Sequence, residues 1–328
     1  MKVSVIVATW NSSWCIVRAL ESAFAQTLPP HEVIVCDDGS TDGTPDLVEQ
    51  RFGSKVQVLR LPHRNASASR RDGFERATGD WVAFLDSDDY WAPEKLERQA
   101  AFVASHPGMG WIATDGSYVS EAGVIRESWL ADYFDPVREL AGDLLPAMVE
   151  RCFPLTSSVL VRADVYREVG GIDPDLVYNH DYDLWLKVLA RHPGAQLTDR
   201  LVYYWASPNA LSQRYEGRHR DNLATMRRIE SGAYTPRPEI RRQAAERAAV
   251  LEFHLAVIDL RAGHTARARE HFRRAVTRGP LHRRLIAAAG NLAPAWLLPF
   301  LARASWLRRA VSESREPARP IAAGARGE

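Results

Sequence analysis

The feature that most constrains this chain is a series of short apolar runs, each ending in a polar or acidic turn. Residues 2–8, 32–36, 56–61 and 81–85 are rich in Val, Ile and Leu. Such runs fit strands buried on both faces. Between them lie segments of helical character. Ile16, Leu20, Ala23 and Phe24 line one helical face, with Asn11, Ser12 and Ser13 placed to cap it. Thr41-Asp42-Gly43-Thr44 opens a second helix whose Leu47 and Val48 face inward, and residues 66–77 form a third, with Gly79 as its stop. Alternation of strand and helix predicts an α/β, Rossmann-like, mostly parallel and doubly wound sheet. Ligands of such sheets bind beyond the carboxyl ends of the strands. Asp37, Asp38 and Asp86 fall at those ends.

Beyond residue 92 the pattern is mixed. A helix is expected over 93–105, a strand over 111–114, a hairpin over 117–126 and a strand over 157–161. Gly170-Gly171 ends a short helix, Tyr182, Trp185, Leu186 and Leu189 form an apolar helical stripe, and 201–205 is a last strand. After that the composition changes. Residues 212–328 hold 23 Arg, no Lys and 11 Asp or Glu, giving 23 − 11 = +12, whereas 1–211 has 19 basic and 30 acidic residues, giving 19 − 30 = −11. An acidic half suits a divalent cation with oxygen ligands. A basic half suits phosphates, nucleic acid or an anionic membrane surface, or is a solvated Arg-rich helical face. Helices are expected over 240–261 and 265–278, broken at Gly263. Leu255, Ala268, Phe272, Ala275 and Pro280 stand at the spacing of one tetratricopeptide repeat. A single copy predicts one helix pair packed on the main domain, because repeat arrays need about three copies. The expected domains are 1–211, 212–311 and a disordered tail at 312–328.

Cys15, Cys36 and Cys152 are too few and too widely spaced for a disulfide framework or metal cluster, and a reducing cytoplasm is the simplest compartment. Residues 1–8 are followed at once by Asn11 and Ser12, which does not fit a signal peptide, and no run of 18 apolar residues is present. Residues 294–311 combine Trp296, Leu297, Leu298, Phe300, Leu301, Trp306 and Leu307 with Arg303, Arg308 and Arg309. Such a segment can lie in a membrane interface, cover an apolar patch of the catalytic domain or join two copies.

The strongest chemical signal is Phe84-Leu85-Asp86-Ser87-Asp88-Asp89. Three carboxylates in four residues repel one another unless a cation lies among them; alone, the segment is equally an acidic helix-capping turn. A second acidic turn, Asp37-Asp38-Gly39-Ser40-Thr41-Asp42, follows the second strand. One of its carboxylates can accept from a nucleobase N–H, and Gly39 allows close backbone approach. No G-x-G-x-x-G follows the first strand and no G-x-x-x-x-G-K-[ST] occurs, which argues against a dinucleotide oxidoreductase and a P-loop NTPase.

Five ordered segments together resemble the glycosyltransferase family 2 superfamily. They are residues 3–11 (VSVIVATWN), 33–42 (VIVCDDGSTD), 79–89 (GDWVAFLDSDD), 169–173 (VGGID) and 181–186 (DYDLWL). The resemblance spans about residues 1–210 and implies a GT-A fold with a C-terminal α-helical extension. It implies a metal-assisted, inverting transfer of a sugar from a nucleotide-diphosphate donor, UDP-sugar foremost, to a hydroxyl of a glycan or lipid-linked acceptor. It further implies that Thr9 and Trp10 line the nucleotide pocket, that Asp38, with Asp37 beside it, contacts the base, and that Arg70 lies near the diphosphate. Asp86, with Ser87 following, faces the ribose and the metal's waters. Asp88 binds Mg²⁺ or Mn²⁺, Asp181 is the general base, and Gly170 and Gly171 floor the acceptor side. His180, on the acceptor side, stands where the family often carries an acid, where a histidine can tune the base, contact an acceptor phosphate or simply line the cleft edge; Arg71 stands where the family carries Asn. A cytoplasmic protein, in peripheral contact with the inner leaflet, follows from family habit; no nucleic-acid partner is expected. A sugar nucleotidyltransferase would favour a Gly-rich basic loop where this chain has Thr9-Trp10-Asn11-Ser12-Ser13. A nucleotide-sugar-binding scaffold is the non-enzymatic alternative.

Overall fold

The computed structural model describes residues 1–206, 215–278 and 281–292. Strands are β1 Val3–Thr9, β2 Glu32–Asp37, β3 Gln57–Arg60, β4 Trp81–Asp86, β5 Tyr90–Trp91, β6 Trp111–Ser120, β7 Gly123–Arg126, β8 Leu140–Gly142, β9 Leu160–Arg162 and β10 Gly194–Trp205. Helices are α1 Ile16–Phe24, α2 Thr44–Phe52, α3 Ala66–Arg76, α4 Lys95–Ser105, α5 Leu145–Glu150, α6 Ala163–Glu168, α7 His180–Leu189, α8 Tyr215–Ser231, α9 Pro238–Arg261, α10 Thr265–Ala275 and α11 Leu281–Leu292. The chain divides into two compact units. The first is Met1–Leu144 with the described residues from Cys152 to 206; the second is Leu145–Arg151 with the described residues from Tyr215 onward.

In the first unit one sheet runs β3-β2-β1-β4-β9-β6-β10-β5, with β7 on β6 and β8 on β10. β1 to β4 are mutually parallel. β9 is antiparallel to β4 and β6, which returns β6 and β10 to the original direction. The sheet is therefore α/β and doubly wound with one reversed strand inside it. The sequence did not show the reversal, because β9 has three residues and the expected strand at 157–161 begins in a 3-10 turn, Thr156–Ser158. The apolar runs of β1, β2 and β4 are buried on both faces, as two helical layers require. Their side chains join Ile16, Leu20, Leu96 and Leu160 in one core.

Two local expectations change. Asn11, Ser12 and Ser13 do not cap α1; its N-cap is Cys15, with no side-chain cap. They tie the loop after β1 to the loop after β2 instead. The Asn11 N–H donates to Ser40 Oγ at 2.8 Å, Ser12 N–H to Thr44 Oγ1 at 2.9 Å, and Thr41 N–H to Asn11 Oδ1 at 2.8 Å. Gly79 is not a left-handed helix stop either, since α3 ends through an extended Ala77. A Cβ on Gly79 would lie 2.7 Å from Ser4 Oγ, so the residue is small to let the chain pass β1.

The second unit is helical. α9 packs against α8 on one side and α10 on the other, and α10 against α11. The α9–α10 hairpin turns at Gly263, φ +83°, where a left-handed residue closes the first helix. Phe253, Val257, Leu260, Ala268, Phe272 and Ala275 form its core. The helix pair read from the repeat spacing is present, with α8, α11 and α5 added around it; Gln243 Nε2 donates to the Pro146 carbonyl at 2.9 Å to hold α5. Several of its arginines and a histidine pair with acids buried in the same unit. Glu252, 1% exposed, accepts from His271 at 2.6 Å and Arg227 at 3.1 Å, while Arg267 lies 2.8 Å from buried Asp259. Pro280, residues 294–311 and the tail at 312–328 lie outside the described residues.

Candidate functional site

The strand ends converge as the parallel register dictates. Thr9 pairs with Asp37 across β1 and β2, and Ala8 pairs with Asp86 across β1 and β4. Polar groups that follow three adjacent strands are thus brought to one edge, although 28 to 77 positions separate them in sequence. Thr9 Oγ1 and Asp37 Oδ1 are buried there without hydrogen-bond partners. Buried polar atoms are otherwise almost always paired, so two at one strand edge mark a place where a ligand would supply the bonds.

Asp38 is held by a set of neighbours that sequence reading missed. Its Oδ1 accepts from the Arg64 N–H at 2.9 Å and the Ser69 hydroxyl at 3.0 Å, and its Oδ2 lies 2.9 Å from His63 Nδ1. Gly39 is needed for close approach, as its motif suggested, but the approaching backbone is His63. A Cβ at Gly39, φ +75°, would sit 2.9 Å from His63 N. The His63 ring stacks on Trp10 at 4.9 Å and 18°, and Trp10 keeps 53% of its surface exposed. An open indole face therefore stands beside the Asp38 loop.

The acidic segment after β4 divides into three different carboxylates. Asp86 forms an ion pair with the guanidinium of Arg70. Asp89 is buried and fully engaged: Ser157 Oγ donates to Oδ2 at 2.5 Å and the Trp205 N–H to Oδ1 at 3.0 Å. Burial, reinforced by Asp88 and Asp86, drives its carboxyl well above the ordinary Asp range. No other side chain among the described residues donates to the Asp88 carboxylate; Arg18 bonds the Asp88 backbone carbonyl at 3.0 Å instead. Burial, and then the charge of Asp86, push the Asp88 carboxyl up to about 6. The repulsion read from the sequence is offset at Asp86 by the Arg70 ion pair and persists at both Asp88 and Asp89. Ser87 Oγ lies 2.9 Å from Ser12 Oγ and braces the segment against the β1 loop.

Among the described residues no three His, Cys, Asp or Glu side chains form a ligand set. The donor chemistry nevertheless fits Mg²⁺ or Mn²⁺. Such ions are commonly held by one or two carboxylates together with waters and substrate phosphates. Asp88 has a carboxylate to which no side chain of the described residues donates, and Asp86 stands beside it.

Arg70 connects this edge to α7. It is 7% exposed, bonded through Nη2 to Asp86 and through Nη1, at 2.5 Å, to Nε2 of His180. Burial and the adjoining guanidinium press His180 down to about 4, so at neutral pH the imidazole is uncharged and accepts from Arg70. Asp181 stands inside the first turn of α7, whose N-cap is Asn179. Its Oδ2 accepts from Thr156 Oγ1 at 2.6 Å and its Oδ1 from the Tyr182 N–H at 2.7 Å. Burial presses Asp181 upward. Hydrogen bonds from the Thr156 hydroxyl and the Tyr182 N–H, with the Arg70 charge, hold the carboxyl below the ordinary Asp range. The helix N-terminus favours the same charged form. Gly170 and Gly171 take φ +80° and +65° where α6 ends, and a Cβ on Gly171 would strike the Tyr166 ring at 2.4 Å. Lys187 donates to the Gly171 carbonyl at 2.7 Å, tying this turn to α7.

One cluster therefore contains Thr9, Asp37, Asp38, Arg70, Asp86, Ser87, Asp88, His180 and Asp181. Ser157, Thr156, Ser69, His63 and Arg18 were not legible in the sequence. Ser157 also accepts from the Asp86 N–H at 3.1 Å, and no spacing rule links it to residues about 70 positions away.

The sequence model of the family described as Glycosyl transferase family 2 matches residues 4–141. TuaG of Bacillus subtilis, assigned by its name to teichuronic acid biosynthesis, is 34% identical over 199 residues, covering 58% of this chain and 72% of TuaG. WfaP of Escherichia coli, a UDP-Glc:alpha-D-GlcNAc-diphosphoundecaprenol beta-1,3-glucosyltransferase, is 29% identical over 204 residues, covering 62% and 76%. An uncharacterized glycosyltransferase of Nostoc is 32% identical over 183 residues, and the chain spans only 55% of its length. Among solved structures, residues 1–349 of S. aureus TarS in complex with UDP-GlcNAc share the fold, with a TM-score of 0.70 at 19% identity over 98% of this chain and 93% of that one. The chain belongs to glycosyl transferase family 2, and its α/β unit has the GT-A fold.

Proposed function

We propose that the chain is an inverting glycosyltransferase that moves a sugar from a nucleotide-diphosphate donor, UDP-sugar foremost, onto a hydroxyl of a glycan or lipid-linked acceptor. The observation that carries this reading is the Asp86–Arg70–His180 connection, which joins the carboxylate at Asp88 to the ionised carboxylate at Asp181 through one buried guanidinium. Trp10 and Asp38 would contact the nucleobase, a role supported by the exposed Trp10 face and by the unpartnered Thr9 and Asp37 oxygens at the same strand edge. The family relative WfaP carries a UDP-sugar and a lipid-diphosphate acceptor in its name.

Asp88, with Asp86 beside it, would hold Mg²⁺ or Mn²⁺, which neutralises charge on a departing diphosphate. Arg70 fixes Asp86 and adds a permanent positive charge to the same edge. Asp181 stays ionised at neutral pH, so it can accept the proton of an attacking hydroxyl as that hydroxyl becomes acidic in the transition state. His180, neutral and hydrogen-bonded to Arg70, keeps the guanidinium from pairing with Asp181 and quenching it. A single displacement with the base opposite the leaving group inverts the anomeric centre. No helix of the described residues is long and apolar enough to cross a membrane. Peripheral docking at the cytoplasmic face would fall to residues 294–311.

The test is calorimetric titration with UDP-, GDP- and dTDP-sugars, with and without Mn²⁺, on the wild type and Asp88→Ala. Tight binding of one nucleotide class, lost without metal or in the variant, is expected. Donor binding without turnover on any acceptor, unchanged by Asp181→Asn, would favour a binding scaffold instead.

A further inference from the structure

A second aromatic surface borders the acidic segment. Trp14, in the turn leading into α1, keeps 62% of its surface exposed, more than any other Trp among the described residues. Its ring lies 6.0 Å from that of Trp205 at 58°, so the two indoles are in tilted contact rather than stacked. Behind them Arg18 is sandwiched, its guanidinium 4.3 Å from the Trp205 ring and 4.8 Å from Tyr90, and Tyr90 stacks on Tyr203 at 4.7 Å and 18°. Three elements build this shelf: the first turns of α1, strand β5 and the last residue of β10.

The shelf is fastened directly to the residues after β4. The Trp205 N–H donates to Asp89 Oδ1 at 3.0 Å, and Arg18 Nη2 donates to the Asp88 carbonyl at 3.0 Å. Its exposed face thus begins beside Asp88. Among the described residues no carboxylate lies within 4 Å of Arg18, and its Nε is buried without a partner, so a fixed positive charge underlies the aromatic surface.

A bare indole costs solvation and serves no packing purpose at the rim. What an indole face binds well is a surface of weakly positive C–H bonds, because the ring carries negative charge density on its faces. One face of a pyranose is such a surface, with hydroxyls around its edge for water or for the guanidinium. Trp14 and Trp205 are in tilted contact, so a sugar ring would lie on the exposed outer face of Trp14 rather than between the two indoles, and that open face lets a longer glycan continue outward. A donor sugar, bound through its diphosphate, has no need of an open rim.

We propose that Trp14 and Trp205, backed by Arg18, form a subsite for the pyranose ring of the acceptor. This rests on the glycosyltransferase reading and adds the place where the acceptor sits. Trp14 is the residue to change, since its exposure leaves the fold intact, whereas Trp205 is packed on Arg18.

The experiment uses the full chain and methyl glycosides of N-acetylglucosamine, glucose and mannose as probes, followed by saturation-transfer NMR, with UDP titrated separately by calorimetry. Saturation of the pyranose ring protons by the wild type is expected for at least one glycoside. It should fall five-fold or more in Trp14→Ala, be largely restored in Trp14→Phe, and leave UDP affinity within two-fold. Equal glycoside signals in the wild type and Trp14→Ala, no signal from any glycoside, or a parallel loss of UDP affinity would each overturn the proposal; the last would assign the ring to the donor. Failure of UDP to bind the wild type, with the glycoside signal still dependent on Trp14, would sink the donor reading and leave the shelf standing.

Discussion

Replacing Arg70 by Met keeps most of the side chain's volume and removes its charge. The guanidinium is 9% exposed in its side chain and the Asp86 side chain 30%. Removing one partner of a buried ion pair costs about 3–5 kcal/mol, and the partial exposure of Asp86 places this pair at about 3. Leaving His180 Nε2 without its donor adds about 1 kcal/mol, at the low end for a buried polar atom. These losses share one residue and are not strictly additive, so a total of about 3–4 kcal/mol is expected. In a unit of this size that is a fall of roughly 6–15 °C in Tm at about 2–4 °C per kcal/mol. Arg70→Lys should fall between, because one ammonium has no planar fork to serve a carboxylate and an imidazole together. The assay is denaturant unfolding of Arg70→Met, Asp86→Asn and the double variant. Asp86→Asn removes the orphaned charge, so the double should lose at least 1 kcal/mol less than the sum of the singles. A loss under 1 kcal/mol in Arg70→Met, or additive singles, would refute the argument that Arg70 holds the two sides of the site together.

Three further outcomes are expected. Lys95 is fully buried, its one hydrogen-bond partner among the described residues being Gln99 Oε1 at 3.0 Å, and burial drives its amine far below the ordinary Lys range. Between that lowered value and about 10.4 the unfolded chain binds one proton more, so stability should rise with pH by about 1.4 kcal/mol per unit; Lys95→Met, followed by denaturant midpoints from pH 7 to 9, should be more stable at pH 7 and lack that component. Gly73→Ala should cost about 1–3 kcal/mol by overpacking, because its Cβ would lie 2.5 Å from Cys36 Sγ and 2.8 Å from Ile6 Cγ2; an unchanged unfolding midpoint would contradict it. Thr156→Val removes a hydroxyl that holds Asp181 below the ordinary range, so the acidic limb of kcat/KM against pH should move upward, while an unmoved limb would count against Asp181 as the base.

The parts of this protein that were legible in its sequence are those governed by local periodicity. The runs of β1, β2 and β4 are continuous apolar stretches because parallel strands are covered on both faces, and nothing else of that length fits them. Asp37, Asp38 and Asp86 were found by the same logic, since a residue at the carboxyl end of such a strand must face the ligand edge. The hairpin at Gly263 and the glycine turn at Gly170-Gly171 were visible because a left-handed backbone names its own residue type.

Other features left no local trace. The reversed strand β9 is too short to carry a period. Asn11, Ser12 and Ser13 have the chemistry of helix caps, and only the nearness of the loop after β2 turned them into bridges between loops. The acidic segment gave three carboxylates, but whether each was paired, buried or open depended on Arg70, Ser157 and the Trp205 N–H. The sequence by itself determined the long parallel strands, the helices that alternate with them and which acids reach the ligand edge, because those follow from neighbours a few residues apart. Only the tertiary structure decided that no side chain of the described residues donates to the Asp88 carboxylate, that His180 is neutral against Arg70, and that Trp14 meets Trp205. Charge state and exposure are set by groups tens to more than a hundred positions away along the chain, brought within a few ångströms by the packing of the sheet.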